Sequence, residues 1–308
     1  MMAGMQADHG QRMKRAHLAL MGLSLGDAFG ECFFGPGAEL QLAQGVRTLP
    51  PPPWYYTDDT EMALAIVEEL DQLGRIDPDR LAQRFAARYI QEPRRGYGGT
   101  AHQILRAIAE GTPWQTAAGR VFSGMGSMGN GAAMRVAPIG AYFCDDLHEV
   151  ARQARLSAAV THAHPDGQAG AIAIAIAAAG ACTLPPQAER GLALLDLAIA
   201  HTPDGPTRQG LLTARSLPTG CSVDLAVRAL GSGSRVISED TVPFVLWIVA
   251  QQPPTFEAAL WQTVSGLGDR DTTCAMVGSL IALASGPSSI PPDWLDHREP
   301  LRFSPAPG

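Results

Sequence analysis

Cysteine is scarce and carries no pattern. The five in the chain (Cys32, Cys144, Cys182, Cys221 and Cys274) are scattered, odd in number and never spaced C-x-x-C. That excludes a disulfide framework or a thiolate zinc site and fits free thiols in a reducing, cytoplasmic setting. Basic runs are just as short: Lys14-Arg15 leads, Arg94-Arg95 follows, and the net charge is −7. Phosphate-backbone binding needs a concentrated basic surface, so no nucleic-acid partner is expected. Long apolar runs are missing as well. Residues 169–182 are too few and too alanine-rich to span a bilayer. The run after Lys14-Arg15 is broken by His17 and followed by Asp27 with no small-residue cleavage site, so it reads as a helix, not a signal peptide. No membrane association is expected. Repeats of fixed period, linker-like stretches and period-two alternation of β-branched residues are absent or nearly so, which leaves little room for a sheet.

What remains is a helix-forming chain. Of its 308 residues, 46% are hydrophobic and 17% charged, a globular balance. Apolar residues at three- and four-residue steps (Met62, Ile66, Leu70, Leu73) predict an amphipathic helix over 60–73. Similar patterns predict helices at 11–25, 78–90, 101–110, 132–142, 147–160, 166–181, 186–200, 221–230, 239–251, 254–265 and 271–285. Gly26-Asp27-Ala28-Phe29-Gly30 reads as the stop of the first helix. The Gly- and Pro-rich stretch 31–53 reads as a surface loop. The expectation is one compact, orthogonal all-α multi-helix domain over 11–286, with loose termini at 1–10 and 287–308.

Two acidic knots open helical runs at opposite ends of the chain: Thr57-Asp58-Asp59-Thr60-Glu61 and Gly268-Asp269-Arg270-Asp271-Thr272-Thr273. Carboxylate and threonine oxygens are hard ligands suited to Mg²⁺ or Mn²⁺. Brought together, about four carboxylates would repel one another unless cations intervened. The same residues also make ordinary helix caps, with Asp58 and Glu61 spaced as a capping box; a helix start can serve both ends. The glycine-rich segment 124–131, which includes Gly126, Ser127, Met128, Gly129, Asn130 and Gly131, precedes a helix. It lets backbone approach a ligand and offers N–H groups to phosphate, or it is a flexible connection. It is neither a Walker loop nor a Rossmann fingerprint. Asn130 suits a sugar or base. In Thr161-His162-Ala163-His164-Pro165-Asp166, zincin spacing is absent; His162 suits a phosphate or ribose, or a helix end.

Taken in order, Gly26-Asp27-Ala28-Phe29-Gly30, the first acidic knot, Gly129-Asn130-Gly131-Ala132-Ala133-Met134-Arg135, Thr161-His162, Val242-Pro243-Phe244 and the second knot resemble the ADP-ribosylglycohydrolase family, which includes the dinitrogenase-reductase-activating glycohydrolase. The resemblance spans roughly residues 20–285. It implies an all-α fold with a binuclear Mg²⁺ or Mn²⁺ centre that removes ADP-ribose from modified substrates. It implies metal ligation by Thr57, Asp58, Asp59, Asp269, Asp271 and Thr272, and ADP-ribose contacts from the 124–131 loop, Asn130 and His162; Arg270 is a further candidate, to meet a phosphate or to pair with a neighbouring carboxylate. Asp58, Asp59, Asp271 and Glu31 are the candidate catalytic carboxylates, and arginine-linked ADP-ribose is the preferred substrate. The chain departs from the family in three places. Phe34 stands where an acid is common, Ser127 sits near another such position, and Arg270 replaces a small polar residue. A non-catalytic ADP-ribose reader and a helical metallophosphohydrolase are the competing classes. The first tends to lose the metal carboxylates, which stand here; the second needs a His-Asp pair, whereas the chain has Asp296-His297.

Overall fold

The computed structural model describes residues 2–186, 189–218 and 220–303. Among the described residues sixteen α-helices run in order: α1 (Met2–Glu31), α2 (Ala38–Ala43), α3 (Asp58–Leu73), α4 (Pro78–Gln91), α5 (Gly99–Ala109), α6 (Trp114–Arg120), α7 (Ala137–Tyr142), α8 (Leu147–Ala159), α9 (Pro165–Thr183), α10 (Arg190–His201), α11 (Pro206–Ser216), α12 (Val223–Leu230), α13 (Ser238–Ala250), α14 (Phe256–Val264), α15 (Arg270–Ser285) and α16 (Pro292–His297). Among the described residues the only bridges are two isolated ones, Trp54–Arg298 and Gly129–Ile237. No helix of the described residues is long and apolar enough to cross a membrane.

The helix pair α1 and α15 forms the centre, and small residues explain why. A Cβ placed on Gly22, Gly26 or Gly30 would fall 2.3, 2.0 or 2.3 Å from the carbonyl oxygen of Gly278, Cys274 or Arg270. No real side chain fits there, so the backbones touch. Gly26 and Gly30 therefore do not end the helix, as their composition suggested; α1 continues through Glu31. This carries Asp27, fully buried, alongside the start of α15. The alanine-rich α9 is buried along nearly its whole length, packed by α7, α8, α10 and α13. An Ala-lined helix with neighbours on every side needs no polar face.

Other expectations are corrected by packing. Residues 2–10 continue α1 and are not a separate loose leader. Within the expected loop 31–53 lies the short α2. The expected helix 132–142 begins only at Ala137, because residues 130–132 form a 3₁₀ turn. Helices α6, α11 and α16 had no clear periodic signal. The expected beginning of the helix at 186–200 falls on residues 187–188, outside the described residues. The segment 287–303 is anchored: Trp294 is 3% exposed and stacks on Phe29 at 4.8 Å, and the Glu299 amide donates to the Trp54 carbonyl at 3.0 Å. Met1 and residues 304–308 lie outside the described residues.

Candidate active site

The first acidic knot is positioned by a cap from another helix. Thr57 is the N-cap of α3, its Oγ1 accepting from the Asp59 amide at 3.4 Å. Asp27, reaching across from α1, accepts from the Thr57 amide (2.9 Å) and hydroxyl (2.8 Å) and from the Thr60 amide (3.1 Å) and hydroxyl. One buried carboxylate thus satisfies two of the orphan N–H groups at the positive end of α3, and the Arg95 carbonyl and Thr57 Oγ1 take the other two. Glu61 does not close a capping box; it pairs with Arg88 at 2.7 Å. Asp58 and Asp59 are left over from capping.

The second knot meets them. Asp269 precedes α15 without capping it, and Asp271 lies in its first turn. The Thr272 hydroxyl donates to Asp59 Oδ2 at 3.4 Å, joining two segments more than two hundred residues apart. Asp27, Asp59 and Asp271 each bring a carboxylate oxygen within 4.8 Å of the others. Asp59 Oδ1 and Asp271 Oδ1 are buried and receive no hydrogen bond. Asn130 fixes Asp269, donating to its Oδ2 at 2.7 Å and to Thr241 Oγ1 at 3.1 Å.

Proton affinities reflect the crowding. Burial, partly offset by the Thr60 and Thr57 hydrogen bonds, pushes Asp27 up to about 6. Burial and then the Asp27 charge push Asp58 up to about 8. Asp59 is raised well above the carboxylate range by burial, then Asp27 and Asp271; Asp271 likewise by burial, then Asp269 and Asp27. Orphaned hard oxygens that hold protons for want of a counter-charge are what a divalent cation would relieve. The donor set fits one.

These carboxylates form one end of a cavity of about 640 Å³, a size ordinary for ligand sites. Asp58, Asp59, Asp269, Asp271 and Thr272 line it, as do Ser127, Met128, Gly129, Asn130, Gly131 and His162. Thr57 stands behind this wall, bound to Asp27. Gly126 is turned away, with φ 79° and room for no Cβ beside the His164 amide. In the glycine-rich loop, amides 124–126 bond to Val121 and Phe122, and that of Asn130 to Val236. The Gly129 amide bonds to Ser127 Oγ. The Ser127, Met128 and Gly131 amides keep no such partner among the described residues.

His162 is neutral: burial, then the nearby Arg135 charge, lower it to about 3. Arg135 donates to Thr161 Oγ1 at 2.9 Å, so the Thr161 hydroxyl hydrogen is available to His162 Nδ1 at 2.8 Å. The ring then carries its proton on Nε2, facing Gly129 and Gly131 as a donor.

Two expected site residues lie elsewhere. Arg270 does not reach the cavity: it donates to the Phe33 carbonyl and to Glu39 Oε1 (2.7 Å) and lies over the Phe34 ring at 4.6 Å. Phe34, standing where an acid is common, thus serves this guanidinium. Glu31 is exposed at the end of α1 and lines a separate, smaller cavity. Partial desolvation, then the charges of Asp27 and Asp269, push its carboxyl up to about 6. Conversely, Asp27 is a site residue that its local sequence, Gly26-Asp27-Ala28, does not mark as one. Arg135 and the wall at 96–101 also lacked a local signal.

The family model for ADP-ribosylglycohydrolase matches residues 8–303. The chain belongs to the ADP-ribosylglycohydrolase family. It is 30% identical over 292 residues to an uncharacterized protein of Archaeoglobus fulgidus, covering 92% of this chain and 91% of that one. It is 29% identical over 325 residues to human ADP-ribosylhydrolase ARH3, covering 92% and 88%. To the ADP-ribosyl-[dinitrogen reductase] glycohydrolase of Rhodospirillum rubrum it is 27% identical over 295 residues, covering 91% and 89%. In three dimensions it resembles an ADP-ribosylglycohydrolase-related protein complex with a TM-score of 0.68 at 24% identity over 94% of each chain, which supports the all-α fold. As an ADP-ribosylglycohydrolase the protein is an enzyme hydrolysing ADP-ribose linkages.

Proposed function

We propose that the protein hydrolyses, with two Mg²⁺ or Mn²⁺ ions, the glycosidic bond between the distal ribose of ADP-ribose and an arginine side chain. The observation that carries this is the meeting of both acidic knots, with two orphaned carboxylate oxygens, at one end of a nucleotide-sized cavity. Asp59, Asp271, Asp269, Asp58 and Thr272 would hold the metals, with Thr57, behind the cavity wall, and Asp27 fixing the first knot. When bound, such cations orient ribose hydroxyls and lower the pKa of water.

The chain's own groups account for the rest. Water adds across the bond: its oxygen becomes the anomeric hydroxyl and a proton passes to the acceptor atom, through an oxocarbenium-like transition state. Asp58 lines the cavity, stands outside the tight trio and accepts the water proton. Ser127, Met128 and Gly131 amides and His162 Nε2–H point donors at the diphosphate. Phe122, Met125 and Val236, exposed at 52%, 60% and 54%, form an apolar face for the adenine. Phe122, Ser123 and Val236 hold φ of 52°, 58° and 56°, strain of roughly 1–3 kcal/mol apiece. The pairing of Gly129 with Ile237 holds these segments together. Arginine as acceptor is supported by the excess of negative charge around the cleaved bond, which suits a cationic side chain.

Incubation with arginine-, serine- and acetyl-linked ADP-ribose, with and without EDTA, tests the reading. Release of ADP-ribose is expected, fastest from arginine, abolished by EDTA and reduced at least about a thousandfold by Asp58→Asn with helical content intact. ADP-ribose binding without release from any linkage would make the protein a reader, not an enzyme.

A further inference from the structure

A second cavity backs onto the first acidic knot at Thr57. It measures about 310 Å³ and its lining includes Glu31, Tyr55, Thr57, Glu92, Arg94 and Arg95. Gly96 lines both cavities. It sits at φ 84°, and a Cβ there would lie 3.5 Å from Asp58 Oδ1 and from Thr57 Cβ. Gly96 thus borders both cavities beside Asp58 and puts no side chain between them. With ADP-ribose in the larger cavity and its distal ribose at the acidic end, the second cavity is the adjoining space for the group on the far side of the bond.

Most charge in this second cavity is engaged internally. Arg95 lies over the Tyr56 ring at 4.4 Å and pairs with Glu299; Arg302 pairs with Glu92 at 2.7 Å. Glu31 and Tyr55 differ. Neither side chain has a hydrogen bond, ion pair or ring contact among the described residues, and Tyr55 is 59% exposed. Tyr56 and Glu299 already show what such a pair does with a guanidinium: the ring takes its face and the carboxylate its edge. Tyr55 and Glu31 offer the same two groups to a side chain arriving from outside. Arg94 also lines this cavity and, like Glu31 and Tyr55, is exposed; it opposes an incoming guanidinium there, with water and salt weakening both the opposition and the attraction to Glu31.

We propose that this second cavity is the acceptor subsite, and that Glu31 and Tyr55 select a guanidinium-bearing side chain. The proposal rests on the glycohydrolase reading above. Product inhibition tests it, measured on whichever linkage the wild-type protein cleaves. Agmatine, which carries the arginine guanidinium, should inhibit the wild type. Glu31→Gln and Tyr55→Ala should each weaken that inhibition roughly tenfold, the value of one charge-assisted or stacked contact. Inhibition by free ADP-ribose should stay within about twofold, showing that the variants fold, and Tyr55→Phe should keep the wild-type value. The preference in kcat/KM for arginine- over acetyl-linked substrate should fall by the same factor as the agmatine inhibition. Equal losses on both linkages, or agmatine inhibition unmoved by either variant, would overturn the assignment. Absence of release from every linkage by the wild type would instead sink the glycohydrolase reading, and the subsite with it.

Discussion

Asp27 has donors on both oxygens, whereas Asp59 and Asp271 each keep a buried oxygen that nothing approaches. Three carboxylates in one cluster therefore have different duties: Asp27 organises the start of α3, and the other two present bare acceptors. Asp59→Asn separates stability from binding, because it removes the cost of keeping a carboxyl protonated beside Asp27 and Asp271 and leaves in place the Asp27 hydrogen bonds to Thr57 and Thr60. In EDTA the variant should be more stable than the wild type, by on the order of 1 kcal/mol. It should gain nothing on adding Mg²⁺ or Mn²⁺. Thermal unfolding with and without metal reads both effects. A variant that is less stable in EDTA would mean that Asp59 is held by contacts and not opposed by neighbours. The acids of the two knots were visible in the sequence because hard ligands cluster within a few residues. Asp27 was not assigned, because its partners come from another helix.

At the level of elements the sequence misled where glycine has two meanings. Gly26 and Gly30 look like a stop beside Asp27, yet they allow α1 to lie backbone-to-backbone against α15, a fact that resides in the partner helix. The amphipathic α3 and α4 were legible because each keeps its own apolar stripe. Helix α11 was not, since its apolar stripe is thin, and α16 is a single short piece. Gly26→Ala tests the close approach: its Cβ would sit 2.0 Å from the Cys274 carbonyl oxygen. Separating the helices should cost about 3 kcal/mol or more and weaken metal binding, because α1 carries Asp27 and α15 carries Asp271. Gly10→Ala, in the same helix with nothing within 4 Å of the new methyl, should instead stabilise by about 0.5–1 kcal/mol. Denaturant midpoints for the pair decide it; similar values for both would mean that α1 and α15 have slack the geometry does not show.

For the whole molecule, the buried acids make stability depend on pH in a direction opposite to that of most carboxylates. Asp27 at about 6 and Asp58 at about 8 keep protons in the folded state that the unfolded chain gives up near 4. Folding therefore takes up protons over that window. Their contribution is intact below about pH 4 and is lost as pH rises through 6 and then 8, after which it levels off. His162 slopes the other way: its folded value of about 3 lies below the unfolded 6.5, so stability is lost as pH falls from about 6.5 toward 3. With at least two acids sloping one way and one imidazole the other, the net effect of these groups on the metal-free protein is a loss of stability as pH rises from about 4. A divalent cation replaces the protons at the acidic cluster, so its binding releases them and tightens as pH rises. The increase in Tm on adding Mg²⁺ or Mn²⁺ to EDTA-treated, desalted protein should therefore be larger at pH 8 than at pH 6. In EDTA alone, Tm should fall between pH 6 and pH 8. Parallel curves with and without metal across that range would show that the acidic cluster does not exchange protons for a cation.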